Sequence, residues 1–239
     1  EEVILRVQGI LCIKDLPPQL DPIYIKQNQN YRKAFLRQSI RLTGFSDKMF
    51  QRNVDGIQYI SRHLSRLFKE GSVTEWQPSD FDGHQALDIS NRYFMTRKHN
   101  STDLDVPFAA TVDPHGFLEK LTDNQWTHTD DNKVTYHQMI QERDQFKYIT
   151  ADPAIFRLGD IVEAEISIFV LSQGQGPNQH RVTLVLRSLT LLDAKYSDPI
   201  TVTKVKRRTG HEDQEVQDTR RELSKMRLEG DAQDRMMTE

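Results

Sequence analysis

One cysteine, Cys12, stands in a chain of 239 residues, so an internal disulfide and a disulfide framework are excluded. It sits in the apolar run Ile10-Leu-Cys-Ile13 and reads as a small buried hydrophobe, not as the exposed thiolate a nucleophile requires. Long hydrophobic runs are missing too: none approaches the roughly 20 residues of a membrane helix. The opening Glu1-Glu2-Val3 does not read as a signal peptide. An intracellular protein, cytoplasmic or nuclear and without a membrane partner, is therefore expected. Neither charge sign dominates, with 32 Lys and Arg against 35 Asp and Glu and a formal net charge of -3. That balance gives no global argument for nucleic acid or membrane. P-loops, dinucleotide glycine fingerprints and serine-nucleophile signatures are absent, and Gly174-Gln-Gly176 does not open a helix. No cofactor is expected, and the chain leans away from enzymes.

What is present is β structure. Between Phe156 and Asp193 two long strands flank a glycine-rich loop. Val162, Ala164, Ile166, Ile168 and Val170 alternate with polar residues, the period of a half-buried strand. Val182, Leu184 and Leu186 begin the second strand, and Leu189 and Leu191 continue it in the opposite phase. A slip at Arg187-Ser188 predicts a β-bulge. The loop Ser172–His180 has no apolar residue and predicts a mobile hairpin tip carrying His180.

Elsewhere the patterns are shorter. Val3–Lys14 predicts a strand, broken by Asp15-Leu-Pro-Pro18 and Asp21-Pro22. Residues 27–44 have helical spacing through Tyr31, Ala34, Phe35 and Leu42. Phe50, Val54, Ile57, Ile60, Leu64, Leu67 and Phe68 trace a clearer helix. Ser46 is its candidate N-cap, Gly71 its candidate C′ residue, and Asp55-Gly56 a candidate break. Short strands and loops follow to residue 132. Asp113-Pro114 starts a single helical turn through Leu121, and Lys133–Ile140 forms another strand. After Val205 there are few aliphatic residues and dense mixed charge, the composition of a solvated helix or disordered tail.

The expected fold class is α+β. An N-terminal strand and helices precede a mainly antiparallel β-rich body with a long bulged hairpin, and a polar C-terminal tail follows. Residues 1–203 make one domain, with the helical part at 27–71 and the β-rich body at 86–203. Residues 204–239 make the tail.

Candidate chemistry is sparse. His128, Asp130 and His180 supply the residue types of a facial triad for non-haem Fe(II), with Arg187 placed to clamp a co-substrate carboxylate. Against this, His128 lies in a polar turn and His180 at the hairpin tip, where a metal ligand lacks rigid support. Asp80-Phe-Asp82-Gly-His84 resembles part of a calcium loop but lacks its closing Glu, and a surface turn fits better. Lys204, Lys206, Arg207 and Arg208 form a basic segment, either a nuclear address or a phosphate contact assisted by Arg181. No aromatic residue interleaves with these charges, so no base-stacking platform is visible.

Four segments resemble a large group of uncharacterised proteins predicted from mushroom-forming (basidiomycete) fungi. They are Val106-Pro-Phe-Ala-Ala-Thr-Val-Asp-Pro114, Thr129-Asp-Asp-Asn-Lys-Val-Thr-Tyr136, Phe156-Arg-Leu-Gly-Asp-Ile-Val-Glu-Ala164 and Val185-Leu-Arg-Ser-Leu-Thr-Leu-Leu-Asp193. The resemblance implies no activity, and no functional residue follows from it. The segment 160–170 entering a bulged hairpin also resembles small β-barrels such as OB-folds, an analogy at the level of fold. The function expected is a non-catalytic binding or assembly module acting through the β-rich body and hairpin edge, with a protein partner or self-association. The alternatives are nucleic-acid binding through residues 204–208 and a non-haem Fe(II)-type metal enzyme.

Overall fold

The computed structural model describes residues 2–18, 33–97, 105–143, 145–173 and 180–194. These lie in one unit, residues 1–196; the second unit, residues 197–239, falls outside the described residues.

The alternating segments become strands. Along the chain run β1 (Leu5–Asp15), β2 (Arg37–Thr43), α1 (Lys48–Ser65), β3 (Val73–Thr74), β4 (Ser79–Phe81) and β5 (His84–Arg92). There follow β6 (Met95–Thr96), β7 (Trp126–Thr127), β8 (Thr135–Glu142), β9 (Gln145–Thr150), β10 (Ile161–Ser172) and β11 (His180–Asp193). Three short 3-10 turns, at Glu119–Leu121, Asp130–Asn132 and Pro153–Ile155, punctuate the second half of the described chain.

Five strands close on themselves. β1 pairs antiparallel with β2 and β10, β2 with β5, and β10 with β11. The ring is sealed by one parallel pairing, Val185 of β11 with Ser90 of β5. The result is a five-stranded barrel with one long helix against it, the α+β architecture expected. Closure of this kind removes the unpaired edges that an open sheet exposes. Inside it, Val7, Leu11, Ile40, Leu42, Leu87, Ile89, Val162, Ala164, Ile166, Leu184, Leu186 and Leu189 are all buried. Each Val, Leu and Ile among them contributes about 1.5–3 kcal/mol by leaving water, and Ala164 less.

The bulge appears where the phase slips. Glu165 faces Ser188 and Ile166 faces Leu186, so Arg187 is the extra residue. Released from the ladder, its side chain pairs with Glu2, donates to the Asp131 carbonyl and lies 5.5 Å from the Phe169 ring centre. Arg187 is thus a strap between segments, not a substrate clamp.

The helix also forms as its stripe predicts, burying Phe50, Val54 and Ile57. Its N-cap is Asp47, not Ser46: Asp47 Oδ1 accepts from the amides of Met49 and Phe50, each at 2.9 Å. Asp55-Gly56 does not split it, because both residues lie on the exposed face where neither meets the core. The helix ends at the Arg66 cap, and Gly71 (φ +73°) serves a later turn. Phe50 sets how closely the helix approaches the barrel. A Cβ on Gly44 would lie 2.3 Å from Phe50 Cβ, and one on Gly9 3.0 Å from its ring. Only glycine fits beneath that ring at residue 44.

Two expectations need correction. The helix expected over residues 27–44 does not reach its end: Lys33 is helical, but Arg37–Thr43 is β2, a barrel strand with Gln38, Ile40 and Leu42 inward. The N-terminal part is also not set apart from the β-rich body, since β1 and β2 supply two of its five barrel strands. Asp113 does cap a turn, with its carboxylate accepting from the Phe117 and Glu119 amides at 2.7 and 2.9 Å. The strand expected over 133–140 appears as β8, which joins β11 in parallel and carries β9 on its other edge.

Candidate functional site

β2 and β5 lie side by side in the barrel wall, and their alternation fixes what the outer face carries. With Gln38, Ile40 and Leu42 inward, Arg37, Ser39 and Arg41 point out. On β5, Leu87, Ile89 and Asn91 are buried, leaving Asp88, Ser90 and Arg92 outside. The register sets Arg37 opposite Arg92, Ser39 opposite Ser90, and Arg41 opposite Asp88. An open groove of about 550 Å³ runs over this face. Its other wall is formed by residues 74–79, including half-buried Trp76, and by Arg181–Leu184 of β11.

The charges in the groove sort into paired and unpaired. Arg41 holds Asp88 through two bonds, Nε at 2.6 Å and Nη2 at 3.0 Å, and donates Nη1 to the Asp80 carbonyl at 3.2 Å. Its bond to Asp88 raises its pKa further. Glu75 is engaged by Arg62 of α1 at 3.5 Å. Both acidic residues of the lining therefore have a cation. Among the described residues, Arg37, Arg92 and Arg181 form no ion pair. Two arginines directly opposite on one face repel each other, a cost that a bound anion relieves. The groove is locally basic on a chain whose formal net charge is -3.

The residues singled out from sequence fall as follows. Arg181 lines the groove. Lys204, Lys206, Arg207 and Arg208 lie outside the described residues. His128, Asp130 and His180 do not come together: among the described residues no three His, Cys, Asp or Glu side chains are grouped to hold a metal. His128 is buried, its Nδ1 2.8 Å from the Tyr93 carbonyl and its ring stacked 3.9 Å from Phe108. Asp130 is exposed at the start of a 3-10 turn. His180 is not at a loop tip but opens β11, with its amide bonded to the Ser72 carbonyl at 2.9 Å and its ring 4.8 Å from Phe68. Asp82 and Gly83, at φ 53° and 76°, form the two-residue hairpin turn between β4 and β5. Cys12 is buried, its thiol pKa pushed up to about 11 by that burial.

Burial pushes the His128 pKa below its usual 6.5. A histidine held neutral in the fold stabilises it above about pH 6.5, and that contribution is lost as pH falls below this value. Urea midpoints at about pH 7.5 and about pH 5 should therefore diverge, and His128→Gln should narrow the gap. An equal gap in the variant would remove His128 as its source.

Sequence reasoning missed Arg37, Arg41, Arg92 and Trp76. The alternation in Arg37-Gln-Ser-Ile-Arg-Leu-Thr43 was the available signal, obscured because inward Gln38 is itself polar.

No family model matches the chain, and no curated protein matches it. Among solved structures it is similar to gp2.5, a single-stranded DNA binding protein encoded by bacteriophage T7. The TM-score is 0.43 and the identity 14%, over 81% of this chain and 87% of that one. It is also similar to a C-terminally truncated single-stranded DNA-binding protein from bacteriophage Enc34, with a TM-score of 0.35 and 12% identity. That match covers 80% of this chain and 85% of the other. No helix among the described residues is long and apolar enough to cross a membrane.

Proposed function

We propose that the chain binds single-stranded nucleic acid on the outer face of β2 and β5, and that its barrel is of the OB type. The observation that carries this reading is the groove in which Arg37 and Arg181, with neighbouring Arg92, have no ion-pair partner among the described residues and lie beside half-buried Trp76. In OB-folds the face of the second and third barrel strands binds oligonucleotides. β2 and β5 are the second and third barrel strands in chain order. Single strands are held by a positive groove that follows phosphates and by aromatic faces on which bases stack. Arg37, Arg92 and Arg181 supply the first element, and Trp76 supplies the second. Ser39 and Ser90 add hydroxyls between the arginines.

A fluorescence-anisotropy titration with a labelled single-stranded oligonucleotide at several salt concentrations tests this. About three phosphate contacts predict a slope of log K against log[salt] near -2, or roughly a 20-fold loss between about 50 and about 200 mM salt. Trp76→Ala should weaken binding by about 1–3 kcal/mol through lost stacking. No binding at low salt would end the proposal.

A second reading is an assembly role through the β10–β11 hairpin edge. It is favoured by the reach of β10: β1 covers Ile161–Ile166, while farther along the strand Phe169 and Leu171 stand 37% and 39% exposed.

A further inference from the structure

The sheet has a different free edge at β9 among the described strands. β9 ends the sheet: β8 pairs with one side of it, and no described strand pairs with the other. On this strand Phe146 and Tyr148 are 64% and 58% exposed. The two-residue strand period places them on one face, opposite Gln141 and Met139 of β8, which bury neither. Edge strands are ordinarily blunted by charge, proline or a covering segment. β9 has one charged residue, Lys147, and its ammonium lies 3.9 Å from Glu142. Along Glu142–Thr150, Arg143 and Lys147 are balanced by Glu142 and Asp144. A neutral edge does not suit a phosphate chain, which favours a protein strand as the occupant.

We propose that this occupant is β9 of a second copy, paired antiparallel about a two-fold axis at Tyr148. In that register Tyr148 meets its own counterpart, Phe146 lies opposite Thr150 and Lys147 opposite Ile149, each reciprocally. Aromatic and β-branched residues face one another, and no like charges meet. Centring one residue earlier would set Lys147 against Lys147. The edge is thus its own complement, as an isologous contact requires. Five overlapping residues per copy make a small interface, of the size found in weak, reversible complexes.

Sedimentation equilibrium of the full chain from about 1 to about 300 µM tests the pairing without nucleic acid. A reversible monomer–dimer equilibrium is expected. Tyr148→Lys, at an exposed position, sets like charges opposite and should weaken it roughly tenfold or more, with an unchanged melting temperature. Mild oxidation of Tyr148→Cys should give a disulfide-linked dimer. Phe146→Cys, which faces Thr150, should not, and the native chain with buried Cys12 should give none. A monomer at every concentration overturns the proposal, as does a dimer indifferent to Tyr148→Lys, or one linked as readily through residue 146. A native monomer that nonetheless needs Phe146 and Tyr148 to hold an oligonucleotide would reassign the edge to base stacking and overturn it equally.

Discussion

The double variant Arg37→Glu, Arg181→Glu should lose about 100-fold or more of its affinity for a single-stranded oligonucleotide at low salt. Both side chains line the groove, and neither has a carboxylate partner among the described residues, so each is available to a phosphate. Reversing one charge removes an attraction and installs a repulsion, at about 1.5 kcal/mol per site for exposed contacts. Two sites therefore give about 3 kcal/mol, and every 1.4 kcal/mol is tenfold in affinity. Arg41 is the wrong residue for this purpose, because its fork is already closed on Asp88. A double reversal at Lys69 and Lys120, exposed residues that do not line the groove, matches the change in net charge and controls for it. Equal losses in control and variant would reduce the effect to bulk electrostatics, and unchanged affinity would remove the groove from consideration. The melting temperature should not move, since neither arginine braces the core.

Asn91→Leu should be the most damaging substitution in the barrel wall. Asn91 is buried, and its Nδ2 donates to two carbonyls, Leu186 at 3.1 Å and Asp131 at 3.0 Å. One residue away lies Ser90, whose pairing with Val185 seals the ring. The amide therefore ties β5 to β11 where the ladder is shortest, and also anchors the turn that leads to β8. Leucine removes both donors. The Asp131 carbonyl keeps Arg187, whereas the Leu186 carbonyl is left buried without this donor. An unsatisfied buried acceptor and a lost second bond together cost about 3 kcal/mol. For a unit of this size that lowers Tm by about 10 °C. Urea unfolding measures it directly: a lower midpoint at constant slope is expected, and an unchanged midpoint would show that the seam does not depend on this amide. Because the groove wall is built across the same seam, oligonucleotide affinity should fall with it.

Legibility from sequence followed the range of the interactions involved. The β10–β11 hairpin, its bulge at Arg187, the Phe50–Ile57 stripe and β8 each announce themselves through a period or phase slip written within a single short segment. β2 broke the rule for a local reason. Its inward Gln38 is polar and its outward face is polar, so the alternation is nearly invisible in composition. Only the fold shows why glutamine is tolerated there: Tyr136 donates its hydroxyl to Gln38 Oε1, and Gln38 Nε2 reaches the Asn132 carbonyl at 3.3 Å. Those partners lie more than ninety residues downstream. His180 was misplaced similarly, because β3 and the Ser72 carbonyl extend β11 outward beyond what its own sequence indicates.

The sequence by itself determined the class, α+β, together with a long bulged hairpin and one amphipathic helix, because strand and helix periods are written in consecutive residues. It also excluded disulfides, through a single cysteine. Tertiary structure alone decided that five strands close into a barrel, since closure rests on one parallel pairing between residues ninety-five positions apart. It alone gathered Arg37, Trp76, Arg92 and Arg181 around one face, although they come from four separate segments. A groove is a property of distances in space, and no local period encodes it.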